Sequence, residues 1–566
     1  MNKRGEKFLF TPNSHGSVSV CLAYPNTYEV AMGNLGYQAV FRMLATTPGV
    51  VCERLFLDPS RPPATLESGR SPGDFDILAF SLSFESDYPN IVRMLDASGI
   101  PARRADREDS SRAWPLLMAG GPATFLNPEP VAPFFDLFLI GEAEEMLPEA
   151  FEGAQGWAGL GHGDMLERLS AVEGAYRPDL YQPFYAGNGA LTEFRRLGQG
   201  PARVNRRYLS DLDRYPVHTA VVSPEAVFGD QYLVEASRGC EWGCRFCAAG
   251  FMYRPVRHRS AEGLTRDALA GLAESSKIGL VGAEMASHPG VASTCAAVAE
   301  AGGRVSPSSL KADMISPRLA KAVAAGGTRQ VTIAPEAGSE RMRRVINKNL
   351  SEAEILRATD LMVGDGVESL KLYFMCALPG EDESDLEGIC DLTGRIRDRM
   401  VGAGRSRGRV GKIKVSINPF VPKPWTPFQW DAMASVSTAR KKMAWLRRHL
   451  GRLANVEMES ESPREAYLQT LLSRGDRRVA EIVEVLARSP DWWSPIQAMR
   501  RGRHETVDLN PDAFVVEEYP HDALFPWDFI DHHIDRDYLW LERRRSIAER
   551  ETEPCDVATC HSCGAC

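Results

Sequence analysis

Between Gln231 and Phe420 the chain repeats one pattern six times, a short apolar segment followed by a helical stretch. The segments YLVEAS, KIGLVG, RVSPSSL, QVTIAPE, SLKLYFM and KIKVSIN begin near Tyr232, Lys277, Arg304, Gln330, Ser369 and Lys412, 26 to 45 residues apart. Strands that alternate with helices build parallel sheets. Six such units predict an open, partial (βα)6 barrel over residues 216–430 rather than a closed one, with its chemistry at the carboxyl ends of the strands.

A second alternation fills residues 1–150. SVSVCLAYP, DILAFSLSF, PLLMAGGP and FDLFLIGEA read as strands, with helical stretches over Leu35–Leu44 and Tyr88–Leu95 between them. This predicts a doubly wound parallel sheet, whose ligands bind beyond the carboxyl ends of its strands. Residues 151–215 are richer in glycine and polar side chains and read as a connecting segment. Residues 431–566 read as mainly helical, with helices over Met443–Leu453, Arg464–Leu472 and Ala480–Leu486 and a cysteine tail. The glycine-rich basic segment 402–412 reads as a flexible connection. The fold class is α/β throughout.

The composition, 44% apolar and 25% charged over 566 residues, excludes global disorder and a fibrous repeat. No stretch approaches the ~18 apolar residues of a membrane span. The start, MNKRGEKFLFTPNSHGS, lacks the apolar run of a signal peptide, so a cytoplasmic protein is expected. A net charge of −9 gives no support to a broadly basic nucleic-acid face. The basic run Arg440–Arg452 reads as the solvated side of a helix, because Met443, Leu446 and Leu450 fall at helical spacing for burial. An RNA contact there is the alternative.

Seven of the 12 cysteines lie in two clusters, and the other five (Cys21, Cys52, Cys295, Cys376, Cys390) sit among apolar neighbours. Clustered cysteines without an export signal argue for metal or redox chemistry rather than disulfides. In SRGCEWGCRFCAAGF the spacing is Cys240-x3-Cys244-x2-Cys247, directly after the first strand of the six. Three thiolates fall one short of a structural zinc site. They suffice for three irons of a 4Fe–4S cluster and leave the fourth iron open to a ligand.

This motif, with Phe246 before its last cysteine and six βα units behind it, resembles the radical S-adenosylmethionine superfamily. The resemblance implies that S-adenosylmethionine chelates the open iron and is cleaved by one electron to a 5′-deoxyadenosyl radical, which abstracts hydrogen from a substrate. It implies a cofactor contact at Gly282-Ala283, where Ala283 replaces the family's second glycine. It implies another at Glu336 or Arg341, although Glu336 reads equally as a carboxylate favoured by a helix N-terminus. Leu378-Pro379-Gly380-Glu381 and the segment Phe420–Trp430 resemble stretches that border the adenosine pocket in methylthiotransferase-like enzymes. A one-electron reductant of the flavodoxin or ferredoxin type is implied as partner.

The N-terminal sheet resembles the cobalamin-binding domain of the cobalamin-dependent branch. Ser81-Leu82-Ser83 matches its Ser-x-Leu element and Gly120-Gly121 its Gly-Gly element, small residues that let a nucleotide tail slide in. The usual Asp-x-His-x-x-Gly is absent; Pro25-Asn26-Thr27-Tyr28-Glu29-Val30 follows the first strand instead. Either cobalamin binds without a protein imidazole, or only the fold is kept. The whole chain resembles a bacterial family of unknown substrate whose members are often fused to or beside a small partner protein, expected here as a separate polypeptide.

The tail, Cys555-x4-Cys560-x2-Cys563-x2-Cys566, fits a second iron–sulfur cluster, a zinc site, or an unliganded end. His532-His533 reads as structural, with a catalytic role as the alternative. Two functions stay open: a radical enzyme modifying a carbon centre, RNA or a small molecule, with methylation through cobalamin as one form, or an iron–sulfur carrier without turnover.

Overall fold

The computed structural model describes residues 4–408 and 410–565. The N-terminal sheet is built from β1 (Val18–Tyr24), β2 (Val50–Phe56), β3 (Ile77–Ser81), β4 (Leu116–Gly120), β5 (Leu137–Leu139) and β6 (Ala175–Tyr176). Its strand order is β2-β1-β3-β4-β5-β6, parallel except for the antiparallel edge strand β6. The topology reverses where β1 pairs with both β2 and β3, and such reversals open a crevice at the strand ends. Helices α1 (Leu35–Thr46) and α2 (Ala143–Ala150) cover one face. Asn34 caps α1, its side chain accepting from Tyr37 N.

The other face shows what local sequence patterns leave out. Leu117, Ile91, Val92 and Leu95 share one core with Leu471, Leu472, Ile482 and Val483 from α3 (Pro463–Arg474) and α4 (Val479–Arg488). The C-terminal helices thus supply the second layer that a parallel sheet requires. Polar contacts fasten them: Asn127 donates to the Ser473 and Gly475 carbonyls, and Arg103 pairs with Glu484.

All six strands of the second array are present: β7 (Tyr232–Glu235), β8 (Lys277–Val281), β9 (Arg304–Pro307), β10 (Gln330–Glu336), β11 (Ser369–Cys376) and β12 (Lys412–Pro419). A seventh parallel strand, β13 (Val456–Glu459), pairs with β12 after α5 (Val436–Leu450). The barrel is open: β7-β8-β9 and β10-β11-β12-β13 are two sheets joined by a single parallel bridge from Leu310 to Ile333. In α5 the expected burial of Met443, Leu446 and Leu450 holds, and Arg440, Lys441, Arg447 and Arg448 face solvent. The segment 402–412 is not all connection, because the helix Glu383–Ser406 runs into it; Arg409 lies outside the described residues. Among the described residues no helix is long and apolar enough to cross a membrane.

One buried ion network sets sheet and barrel against each other. Glu142, just before α2, accepts from Arg257 at 2.8 Å and from Arg238 at 2.9 Å, and Arg238 also pairs with Glu144 and Glu235. Burial pushes the Glu142 carboxyl up, but the two guanidinium groups outweigh it and hold it below its usual range. Each charge here offsets the desolvation of another, and losing one partner of such a set costs about 3–5 kcal/mol. Arg238 is two residues before Cys240, so the clamp ends where the cysteine loop begins.

Candidate functional site

The cysteine loop leaves the barrel after β7 and is closed at its base by a short antiparallel ladder, Ser237 against His258 and Arg238 against Arg257. It is braced from inside. The Arg245 guanidinium is fully buried and donates to Glu542, to the Arg344 and Val345 carbonyls at 2.9 Å and to the Arg550 carbonyl at 2.7 Å. Asn347 donates to the Gly243 carbonyl. Trp242 lies under the Lys311 ammonium, 3.5 Å from ring centroid to nitrogen.

Burial pushes the thiols of Cys240, Cys244 and Cys247 up, Cys244 to about 11, so as free side chains they carry protons at neutral pH. Coordination to iron removes those protons. Among the described residues no three His, Cys, Asp or Glu side chains converge as they do around a single ion. Ligands of a 4Fe–4S cluster bind separate irons and stand farther apart than ligands of one zinc, so three pinned, buried thiols on one loop fit a cluster with a free fourth corner.

Beside the thiols stand Glu336 and Lys348, with Lys348 Nζ 3.5 Å from Glu336 Oε1. The Lys348 ammonium lies within electrostatic reach of all three cysteines. Glu336 ends β10 past a register shift and holds φ at +66°, a left-handed backbone that costs a non-glycine residue energy. Arg341, the alternative to Glu336, is engaged elsewhere, with Asp385, Glu549 and the Gly380 carbonyl. Lys348 was not singled out from sequence; it follows Asn347 on a turn with no motif of its own.

Phe246 packs on Ala337, Leu378, Phe420 and Phe428. This small apolar cluster gathers the carboxyl ends of β10, β11 and β12, including both segments likened to an adenosine border.

Ser81, Gly120, Gly121, Gly282 and Ala283 all line one cavity of about 920 Å³. The first three come from the N-terminal sheet and the last two from the barrel. The cavity is at the upper end of the ~300–1,000 Å³ range of small-molecule sites. It runs as an apolar slot between the sheet (Val20, Leu22, Ala79, Met118) and helices α1 and α2, then reaches the barrel mouth at Ser237, Gly239, Gly282 and Ser308. Every charged lining side chain is paired: Glu142, Glu144, Glu235 and Arg238 in the clamp, Glu85 with Lys423 at 2.8 Å. Ser237 is buried, and its hydroxyl has no hydrogen-bond partner. Phe84 and Phe228, each 56% exposed, line the cavity from its two sides. Gly121, at φ +115°, is needed by the fold itself, since a Cβ there would lie 2.6 Å from the Leu82 carbonyl oxygen.

The tail docks on the cysteine loop. Cys555 N donates to the Glu241 carbonyl at 2.8 Å, and Thr552 N donates to Asn347. Cys563 is 1% exposed, beside the Arg254 guanidinium, and Cys560 lies near Cys555. Cys566 lies outside the described residues. His532 is buried, its Nε2 2.7 Å from the Phe125 carbonyl and its ring tilted against Trp425, while His533 is on the surface side.

Residues 36–178 match a family model described as the N-terminal region of radical SAM proteins, and residues 234–393 match that of the radical SAM superfamily. The chain carries a radical SAM superfamily domain. It is an enzyme of that type, and the cofactors of such a domain are a 4Fe–4S cluster and S-adenosylmethionine. An uncharacterized protein of Methanocaldococcus jannaschii is 28% identical over 492 residues, 86% of this chain and 94% of that protein. Among solved structures, the cobalamin- and [4Fe-4S]-bound radical S-adenosylmethionine methyltransferase TsrM from Kitasatospora setae covers 73% of this chain and 77% of its own at a TM-score of 0.49 and 12% identity. The cobalamin-dependent radical enzyme OxsB with aqua-cobalamin covers 94% and 80% at 0.47 and 12%. With S-adenosylmethionine also bound, OxsB matches 66% of this chain and about half, 51%, of its own at 0.44 and 14% identity.

Proposed function

We propose that the protein is a methyl-transferring radical S-adenosylmethionine enzyme with a corrinoid in the cavity between sheet and barrel. The observation that carries this reading is the single cavity lined at once by Ser81, Gly120 and Gly121 and by Gly282 and Ala283. An apolar slot is foreign to a close-packed protein interior unless something fills it. Its walls suit a flat, neutral heterocycle such as a corrinoid's base. When bound, the cluster supplies the electron that cleaves S-adenosylmethionine, and the corrinoid supplies a carrier for a one-carbon group.

The chain's own residues do the rest. Cys240, Cys244 and Cys247 hold three irons. Lys348 offers a cation, and Glu336 an acceptor, to the carboxylate and ammonium of the cofactor's methionine part. The unpartnered Ser237 hydroxyl offers a hydrogen bond at the junction of sheet and barrel, and the paired charges and apolar walls keep water from the reacting groups. Mixed anaerobically with S-adenosylmethionine and a one-electron reductant, the iron-loaded protein is expected to form S-adenosylhomocysteine only when cobalamin is present. Equal formation without cobalamin would overturn the methyl-transfer reading.

The tail extends the proposal. Its backbone bond to Glu241, the residue after Cys240, supports a second iron–sulfur centre on the outer side of the loop, at which a flavodoxin- or ferredoxin-type donor delivers electrons. The Cys560→Ala/Cys563→Ala variant should hold less iron per chain while the first cluster keeps its spectrum. Unchanged iron content would remove the second centre.

A further inference from the structure

The cavity offers a corrinoid no nitrogen ligand. All 11 histidines of the chain fall within the described residues, and none of them lines the cavity; no cysteine lines it either. His532 stands behind two lining residues, Phe125 and Met252, with its Nε2 committed to the Phe125 carbonyl. Beyond the carboxyl ends of β1 and β3 the lining polar groups are Asn34, Ser81 and Ser83. Asn34 is itself spent: Oδ1 accepts from Tyr37 N at 2.9 Å and Nδ2 donates to Ser83 Oγ at 3.0 Å. The slot between the sheet and α1 and α2 is apolar, long and continuous with this end of the cavity, so it takes a corrinoid's own base away from the metal.

We infer that a corrinoid bound here has a cobalt without any axial nitrogen on its lower face, neither a protein imidazole nor its own benzimidazole. This rests on the corrinoid reading above and adds to it a coordination state set by this chain's own residues. A metal so held takes up an electron without first shedding a strong donor, and it leaves the barrel-facing side as the side where a group is exchanged.

Electron paramagnetic resonance of the full-length, iron-reconstituted protein loaded anaerobically with cob(II)alamin tests this, with unbound corrinoid removed by gel filtration and retention measured by absorbance. The expected spectrum is cobalt(II) without nitrogen superhyperfine splitting, whereas free cob(II)alamin at neutral pH shows the triplet of its coordinated benzimidazole. A triplet in the bound form overturns the inference. If protein labelled with 15N-histidine turns that triplet into a doublet, the ligand is an imidazole; if the triplet stays, it is the benzimidazole. No retention of corrinoid overturns the corrinoid reading itself, a failure separate from either ligand result.

Discussion

The Cys244→Ala protein is expected to lose reductive cleavage of S-adenosylmethionine by more than ~1,000-fold, over ~4 kcal/mol at 1.36 kcal/mol per tenfold. Two thiolates cannot hold a cluster that needs three, and without it no electron reaches the cofactor. The loop itself should survive. Its position depends on Arg245, Asn347 and the ladder at its base, and a small buried thiol replaced by a methyl group leaves these untouched. Thermal unfolding close to that of the metal-free parent protein, together with lost absorbance of the cluster, separates this from misfolding. Cleavage at the parent rate would mean that the cluster is not held by these cysteines.

The second large effect is expected at the slot. Ala79 lies on β3 and lines the cavity with Leu22 and Met118. Ala79→Phe places a ring in space that is open in the structure, so the substitution fills a void and does not overpack a filled core. Corrinoid affinity should fall at least ~100-fold, near 2.8 kcal/mol at 1.4 kcal/mol per tenfold. Cleavage of S-adenosylmethionine to 5′-deoxyadenosine should persist, since the cysteine loop and Lys348 are on the barrel. Unchanged corrinoid binding would show that the slot is not where its base resides.

The parts legible in the sequence are those with a local physical signature. Six strands start where apolar runs follow turn residues, because a strand of a parallel sheet is buried on both faces and reads as a continuous apolar segment. β13 was missed for the converse reason: VEME alternates between partly buried and exposed positions at the sheet's edge and carries two carboxylates. Ser81, Gly120 and Gly282 were each identifiable from their own strand ends, but that they share one cavity depends on the Glu142–Arg238–Arg257 clamp, whose members come from distant parts of the chain. Lys348 and the docking of Cys555 on Glu241 are long-range in the same way. Arg341 illustrates the opposite error. A basic residue near a predicted cofactor contact is a reasonable candidate until Asp385 and Glu549 are seen to occupy it.

The central claim is that this chain fires a radical cluster, and product analysis tests it most directly. The iron-reconstituted protein would be mixed anaerobically with S-adenosylmethionine and dithionite and its nucleosides identified. The account predicts 5′-deoxyadenosine from the parent protein and none from Cys244→Ala. A parent protein that carries its intact cluster and binds S-adenosylmethionine, yet yields no 5′-deoxyadenosine, would contradict it.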